Sequence, residues 1–224
     1  MLIDEIFANF GKALAAYQRR LVRNDAPFDE FVAALKEGGG DGLDALSDEA
    51  VQGLDLFVGK ALCVDCHSGH QFTNFEFHNL GLAPRSWMSE TPDVGRSAGL
   101  AMVAGSDFSA NGPHSDAPDS EAAKILNYLR EANFYSDGQF KTPGLRNVAE
   151  RAPYMHGGHH GSLSENIEFY GDLQEDPDVG IRDPLLQQVN LDADEVDALV
   201  AFLESLTGAA LPEELTVQPE SPSL

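Results

Sequence analysis

Cysteine is scarce: the chain holds two, Cys63 and Cys66, three positions apart. A four-thiolate zinc cage needs a second pair, so it is excluded. A thioredoxin-like dithiol needs a βαβ setting, and no run of strands sufficient for a sheet is present. Long apolar runs are missing too, and nothing approaches the roughly 18 residues of a membrane span. Residues 1–23 lack the features of a signal peptide. Asp4 and Glu5 stand where a basic region belongs, and the apolar residues are spaced rather than continuous. Basic side chains are few, 14 against 37 acidic ones, for a formal net charge of −23. That balance argues against nucleic acid or an anionic membrane surface as partner. It steers in a basic partner, and equally suits a solvated surface at high salt, as the low lysine usage does. No internal repeat is visible. What remains is a globular chain of 224 residues, enough for one or two domains with a real core.

Within this composition one motif stands out. Cys63-Val64-Asp65-Cys66-His67 fits C-x-x-C-H, the attachment pattern of a c-type haem. Thiols at i and i+3 lie about one helical turn apart, so each can form a thioether to one vinyl group of the same porphyrin. His67 then reaches the iron as a neutral imidazole. One motif implies one covalent haem. Such attachment takes place outside the bacterial cytoplasm, so the expected location is periplasmic or otherwise exported, with the export signal absent from this chain.

Helical periodicity dominates. Ile3, Ile6, Phe7, Phe10, Leu14, Tyr17 and Leu21 form one apolar stripe, with Arg19, Arg20 and Arg23 at its end. The stripe is expected to pack on the haem domain or on a partner. A short helix follows Pro27 and stops at Gly38-Gly39-Gly40. Ser47 caps a third helix that Gly59 ends just before the motif. Residues 68–95 read as loop and 97–119 as a mobile loop, and helical period returns over 120–132. Ser162 with Glu165, and Asp192 with Glu195, form capping boxes for two later helices, stopped by Gly171 and Gly208. Residues 212–224 read as an extended or disordered tail. The expected fold is mainly α, a cytochrome c-like haem domain with long irregular loops. Residues 1–46 form an N-terminal helical segment, and residues 47–211 the haem domain.

Phe57-Val58-Gly59-Lys60-Ala61-Leu62 leading into the motif resembles the approach to the second haem of bacterial di-haem cytochrome c peroxidases, whose relatives include the di-haem enzyme of methylamine utilisation. The likeness continues through Asp93-Val94-Gly95-Arg96 and is strongest from Phe140 to Ala149 and from Ala152 to Gly158. The helices from Leu163 to Tyr170 and from Asp192 to Gly208 complete it. It runs from about residue 3 to 208 and implies the C-terminal, electron-transfer half of the family. The family's peroxidatic haem lies before this region; no cysteine precedes Cys63, so this chain is not expected to hold that haem covalently. The stretch 97–139 is an insertion relative to the family's usual link, with no role to assign to it.

Spacing does not choose a sixth iron ligand among His70, His78, His114, His156, His159, His160, Met88, Met102, Met155 and the tyrosines. The resemblance places Tyr170 at the family's ligand position, where the methylamine-utilisation enzyme also has a tyrosine, with Met155 as the rival. It also places His156 close to the haem, near the ligand or on the electron path, and this is the one candidate for a catalytic role. Lys141 and Arg146 are candidates to pair with haem propionates. The family binds calcium through the segment matching Arg151 to Pro153, but the remaining ligand would come from the domain outside this chain, so calcium is not expected here.

The expected function is therefore one-electron transfer through a single haem, with a redox partner protein, basic to complement the acidic surface, or a second haem domain. Two alternatives stand beside it. One is a peroxidase-like haem enzyme, in its own right or as a fragment. The other is a haem-bearing subunit of a larger redox assembly.

Overall fold

Two helices make the scaffold. Helix α3 (Asp48–Val58) starts at Ser47, whose side chain accepts from the Ala50 backbone N–H, and carries Ala50, Gly53, Leu56 and Phe57 on its buried face. Helix α7 (Ala193–Glu204) starts at a full capping box between Asp192 and Glu195 and buries Val196, Ala198, Leu199, Phe202 and Leu203. The two buried stripes face each other, as spacings of three and four dictate. This computed structural model describes residues 2–83, 93–129, 132–173 and 176–218.

Between them sits an aromatic cluster. The ring of Phe202, fully buried, lies 5.0 Å from Phe57, 5.7 Å from Phe28 and 6.1 Å from Phe72, mostly edge-on. Phe28 comes from α2 (Pro27–Glu37), which ends at left-handed Gly38. Burying a side chain of this size stabilises the fold by about 1.5–3 kcal/mol.

The remaining elements are short. After the scaffold's α3 come β1 (Phe77–His78), α4 (Arg96–Ala104), α5 (Glu121–Ile125), β2 (Phe140–Lys141), α6 (Leu163–Glu168) and a last turn, α8 (Glu213–Thr216). The strands pair antiparallel, Phe77 opposite Lys141 and His78 opposite Phe140. The mainly α architecture with long irregular connections is thus as the sequence implied.

Four details differ from the sequence reading. The run 97–119 is partly helical, because Ser97 to Ala104 holds helix formers between the glycines. The helix expected over 120–132 shortens to α5 and a 3₁₀ turn at Leu126–Tyr128. Ser162 accepts from Glu165 N, but the Glu165 carboxylate turns to Gly161 N instead of closing the box. In the stretch from Pro212, α8 buries Leu215, whose carbonyl accepts from the Tyr17 hydroxyl at 2.6 Å; residues 219–224 lie outside the described residues.

Helix α1 (Leu2–Gln18) buries no residue. Its stripe does not pack on the core built by α3 and α7: Ile3 is 80% and Phe10 60% exposed. Amphipathic spacing says that a face is apolar, not what covers it. Its contacts come instead from the Tyr17 bond to α8 and from the inserted stretch, with Phe108 edge-on to Phe7 at 5.0 Å and Asp116 paired with Lys12 at 2.6 Å. No helix among the described residues is long and apolar enough to cross a membrane.

Candidate functional site

The C-x-x-C-H run follows directly on the end of α3. Gly59 stops that helix, and Leu62 takes a left-handed φ of 56°. A tight 3₁₀ turn at Cys63–Asp65 then begins. Backbone N–H groups of Cys66 and His67 both return to the Cys63 carbonyl, at 3.3 and 2.9 Å. This turn brings both cysteines and His67 to one cavity, and both thiols are free.

His67 is oriented by the chain itself. Its Nδ1 lies 2.9 Å from the Phe72 carbonyl oxygen. A carbonyl only accepts, so Nδ1 carries the proton and Nε2 keeps its lone pair. Burial favours this neutral form by pushing the imidazole below its ordinary value. Backbone bonds at Phe72 and Pro143 work the other way, and nearby His78 adds to the lowering. The arrangement is that of a histidine prepared to bind a metal, with its second nitrogen fixed by a backbone acceptor.

The cavity measures about 1030 Å³, at the upper end of the roughly 300–1,000 Å³ usual for cofactor sites. Helices α3 and α7, with the turn after α3, form one wall through Phe57, Ala61, Leu199 and Leu203. The segment 140–145, the loop from Pro153 to His156, α6 and the loop 177–191 close the others. Burial pushes the Cys63 thiol up to about 12, helped by the charges of Cys66 and Asp65. Cys66 is raised by burial first, then by Asp183 and Asp65.

Tyr170 and Met155 both line this cavity. Tyr170 stands in the 3₁₀ turn Phe169–Gly171 that extends α6, and its carbonyl accepts from Val189 N. Burial, then the neighbouring cysteines, push its phenol well above the ordinary range. A cation is what would offset that penalty. Met155 sits at a left-handed φ of 66°. His156 also lines the cavity and stacks on Phe140, ring centroids 3.7 Å apart and 7° from parallel. Burial lowers its pKa, the charge of His159 adds to this, and Asp93 opposes it. The donor set of two thiols, one fixed imidazole and one half-buried phenol in an apolar cavity fits a covalently held haem.

Lys141 reaches the cavity edge, its ammonium 5.2 Å from the Phe75 ring centroid. Arg146 does not line the cavity. Its guanidinium forms a two-pronged pair with Asp29 at 2.7 and 2.8 Å and donates to the His70 carbonyl. The fork fits the carboxylate of α2 and clamps that helix to the chain after β2, a structural pairing away from the cavity. Arg151 lines the wall in its place. Of the other histidines, only His78 faces the cavity; His70, His114, His159, His160 and Met102 do not, and Met88 lies outside the described residues. Among the described residues no group of three or more His, Cys, Asp or Glu side chains is placed to hold a metal ion. Sequence reasoning missed the network behind His78, for which neither period nor motif gave a signal.

No model of a known protein family matches the chain. It is 31% identical over 211 residues to the methylamine utilization protein MauG of Methylophilus methylotrophus, covering 93% of this chain and 50% of that protein. It is 34% identical over 197 residues to the cytochrome-c peroxidase IdrP1 of Denitromonas iodatirespirans, covering 87% and 48%. The chain therefore spans about half the length of the curated relatives it matches. Among solved structures, a MauG-like protein associated with microbial copper homeostasis superposes with a TM-score of 0.60 at 24% identity, over 92% of this chain and 58% of that one. At that identity the likeness speaks to the fold.

Proposed function

As a partial homologue of the MauG and cytochrome-c peroxidase family, the chain is, we propose, a c-type cytochrome domain that carries one covalent haem and moves single electrons through it. The observation that carries this reading is the turn that sets Cys63, Cys66 and His67 together on one apolar cavity. Bound there, a haem supplies a one-electron ferric–ferrous couple. The chain's own residues attach it, orient the proximal imidazole and exclude water. His67 and Tyr170 would hold the iron, with Met155 as rival to Tyr170. Lys141 and Arg151 are placed to meet propionates, and His156 to stand on the electron path. Covalent attachment of this kind points to an exported protein. The acidic surface suits a basic redox partner or a second haem domain.

A second reading is favoured by the half-length match and by the exposed stripe of α1. It makes this chain one part of a di-haem peroxidase, or a haem-bearing subunit of a larger assembly, active only with a second haem domain. Steady-state peroxide turnover by the purified haem-loaded chain, with a reduced donor and no added partner, separates these from an enzyme complete in itself. Negligible turnover is expected. Robust turnover would make this chain a peroxidase by itself and overturn the electron-transfer reading.

A further inference from the structure

Behind the cavity wall lies a polar network whose orientation is fully determined. Asn74 Oδ1 accepts from Glu76 N at 2.9 Å, which turns the Asn74 amide nitrogen toward His78 Nε2 at 3.1 Å. A donor facing Nε2 makes that nitrogen the acceptor. The proton of His78 is therefore on Nδ1, which donates to Asp183 Oδ2 at 2.7 Å. The other Asp183 oxygen accepts from Leu185 N at 2.9 Å, and Asp183 N donates to the Asn79 carbonyl. Both donors to the carboxylate are thus neutral groups, and neither cancels its charge. His78 is buried and Asp183 nearly so. His78 lines the same cavity as Cys66, so the carboxylate bonded to it stands one side chain behind that wall, and its charge disfavours the Cys66 thiolate.

We propose that Asp183, held in place by the positioning residue His78, is a fixed negative charge that sets the reduction potential of the cofactor attached at Cys66. Ferric iron carries one more positive charge than ferrous iron. An anion held in a medium of low dielectric stabilises the oxidised form and lowers the potential. Two carbonyls anchored by Asn79, those of Asp137 and Val179, tie the same loop to the end of the inserted stretch. The charge therefore does not relax away when the electron arrives.

This inference rests on the haem reading above, and the test keeps the two apart. The full chain is loaded by co-expression with haem-maturation machinery and titrated potentiometrically. No covalent haem in the wild type would end the haem reading before any variant is compared. With haem in place, Asp183→Asn raises the midpoint potential by about 59 mV or more, a tenfold change in the ferric-to-ferrous ratio at fixed potential. Asp183→Glu keeps the low value. His78→Gln, which retains an N–H donor, stays near wild type, whereas His78→Leu frees the carboxylate and raises the potential. Exposed Glu76→Gln leaves it unchanged. If Asp183→Asn does not fold, Asp183→Ser serves in its place with the same expected rise. A haem-loaded, folded Asp183→Asn or Asp183→Ser variant with wild-type potential would overturn the proposal. Wild-type potential in His78→Leu would remove His78 from it.

Discussion

Gly53 of α3 lies directly against the main chain of Ala198 in α7: a Cβ built on Gly53 would fall 1.9 Å from the Ala198 carbonyl oxygen and 2.8 Å from the Phe202 Cβ. Backbone cannot yield there without parting the two helices that form one wall of the cavity. Gly53→Ala is therefore expected to cost about 1–3 kcal/mol or more through overpacking. For a chain of this size that lowers Tm by roughly 2–4 °C per kcal/mol. Haem loading should fall with it. Thermal melting by circular dichroism checks the first outcome and the ratio of Soret to protein absorbance the second.

Arg146 and Asp29 form a mostly buried, two-pronged pair. Arg146→Ala is expected to destabilise by about 1.5–3 kcal/mol, the range for hydrogen bonds to charged groups. The Arg146 guanidinium holds the Asp29 carboxyl below its ordinary 3.8. The pair's contribution is thus complete above pH 3.8 and is lost as pH falls below it through the lowered folded value. Urea denaturation of wild type and Arg146→Ala at pH 7 and pH 3 should show a gap that narrows at the lower pH. A gap that widens would contradict the assignment.

The stripe on α1 contributes little to the stability of this chain. Ile3→Ser and Ile6→Ser, at positions 80% and 61% exposed, should change unfolding free energy by no more than about 0.5 kcal/mol. Phe202→Ala, in the core, should cost about 3–5 kcal/mol. Paired denaturant titrations decide this, and equal losses at the two places would mean that α1 is part of the core.

With haem bound, the sixth ligand is open to test. A phenolate favours ferric iron, whereas a thioether favours ferrous iron and raises the potential. Tyr170→Met should therefore raise the potential and shift the ferric spectrum, and Met155→Leu should leave both nearly unchanged. Tyr170→Phe should bind cyanide more readily than wild type. The reverse pattern, with Met155→Leu altering the spectrum and Tyr170→Phe silent, would transfer the role to Met155.

Where the chain writes its structure locally, the sequence was enough. Cys63, Cys66 and His67 are fixed by spacing, and the caps at Ser47 and Asp192 act within three residues of themselves. Tyr170 was reached only through resemblance, because its helix shows an apolar face and not which void that face borders. The partner of Arg146 was not legible because a cation announces no partner; Asp29 lies 117 residues away. His78 and Asp183 are 105 apart, joined by β1 and an irregular loop that carries no period. The exposed face of α1 belongs to the same class: amphipathicity is local, and the surface that covers it is not.

The most direct test of the account is the count of covalent haem. The chain, expressed with haem-maturation machinery, is denatured and its intact mass and pyridine haemochrome are measured together. The account predicts one haem per polypeptide, retained after denaturation and lost when Cys63 and Cys66 are both replaced by alanine. No attached haem, or two per chain, would contradict it.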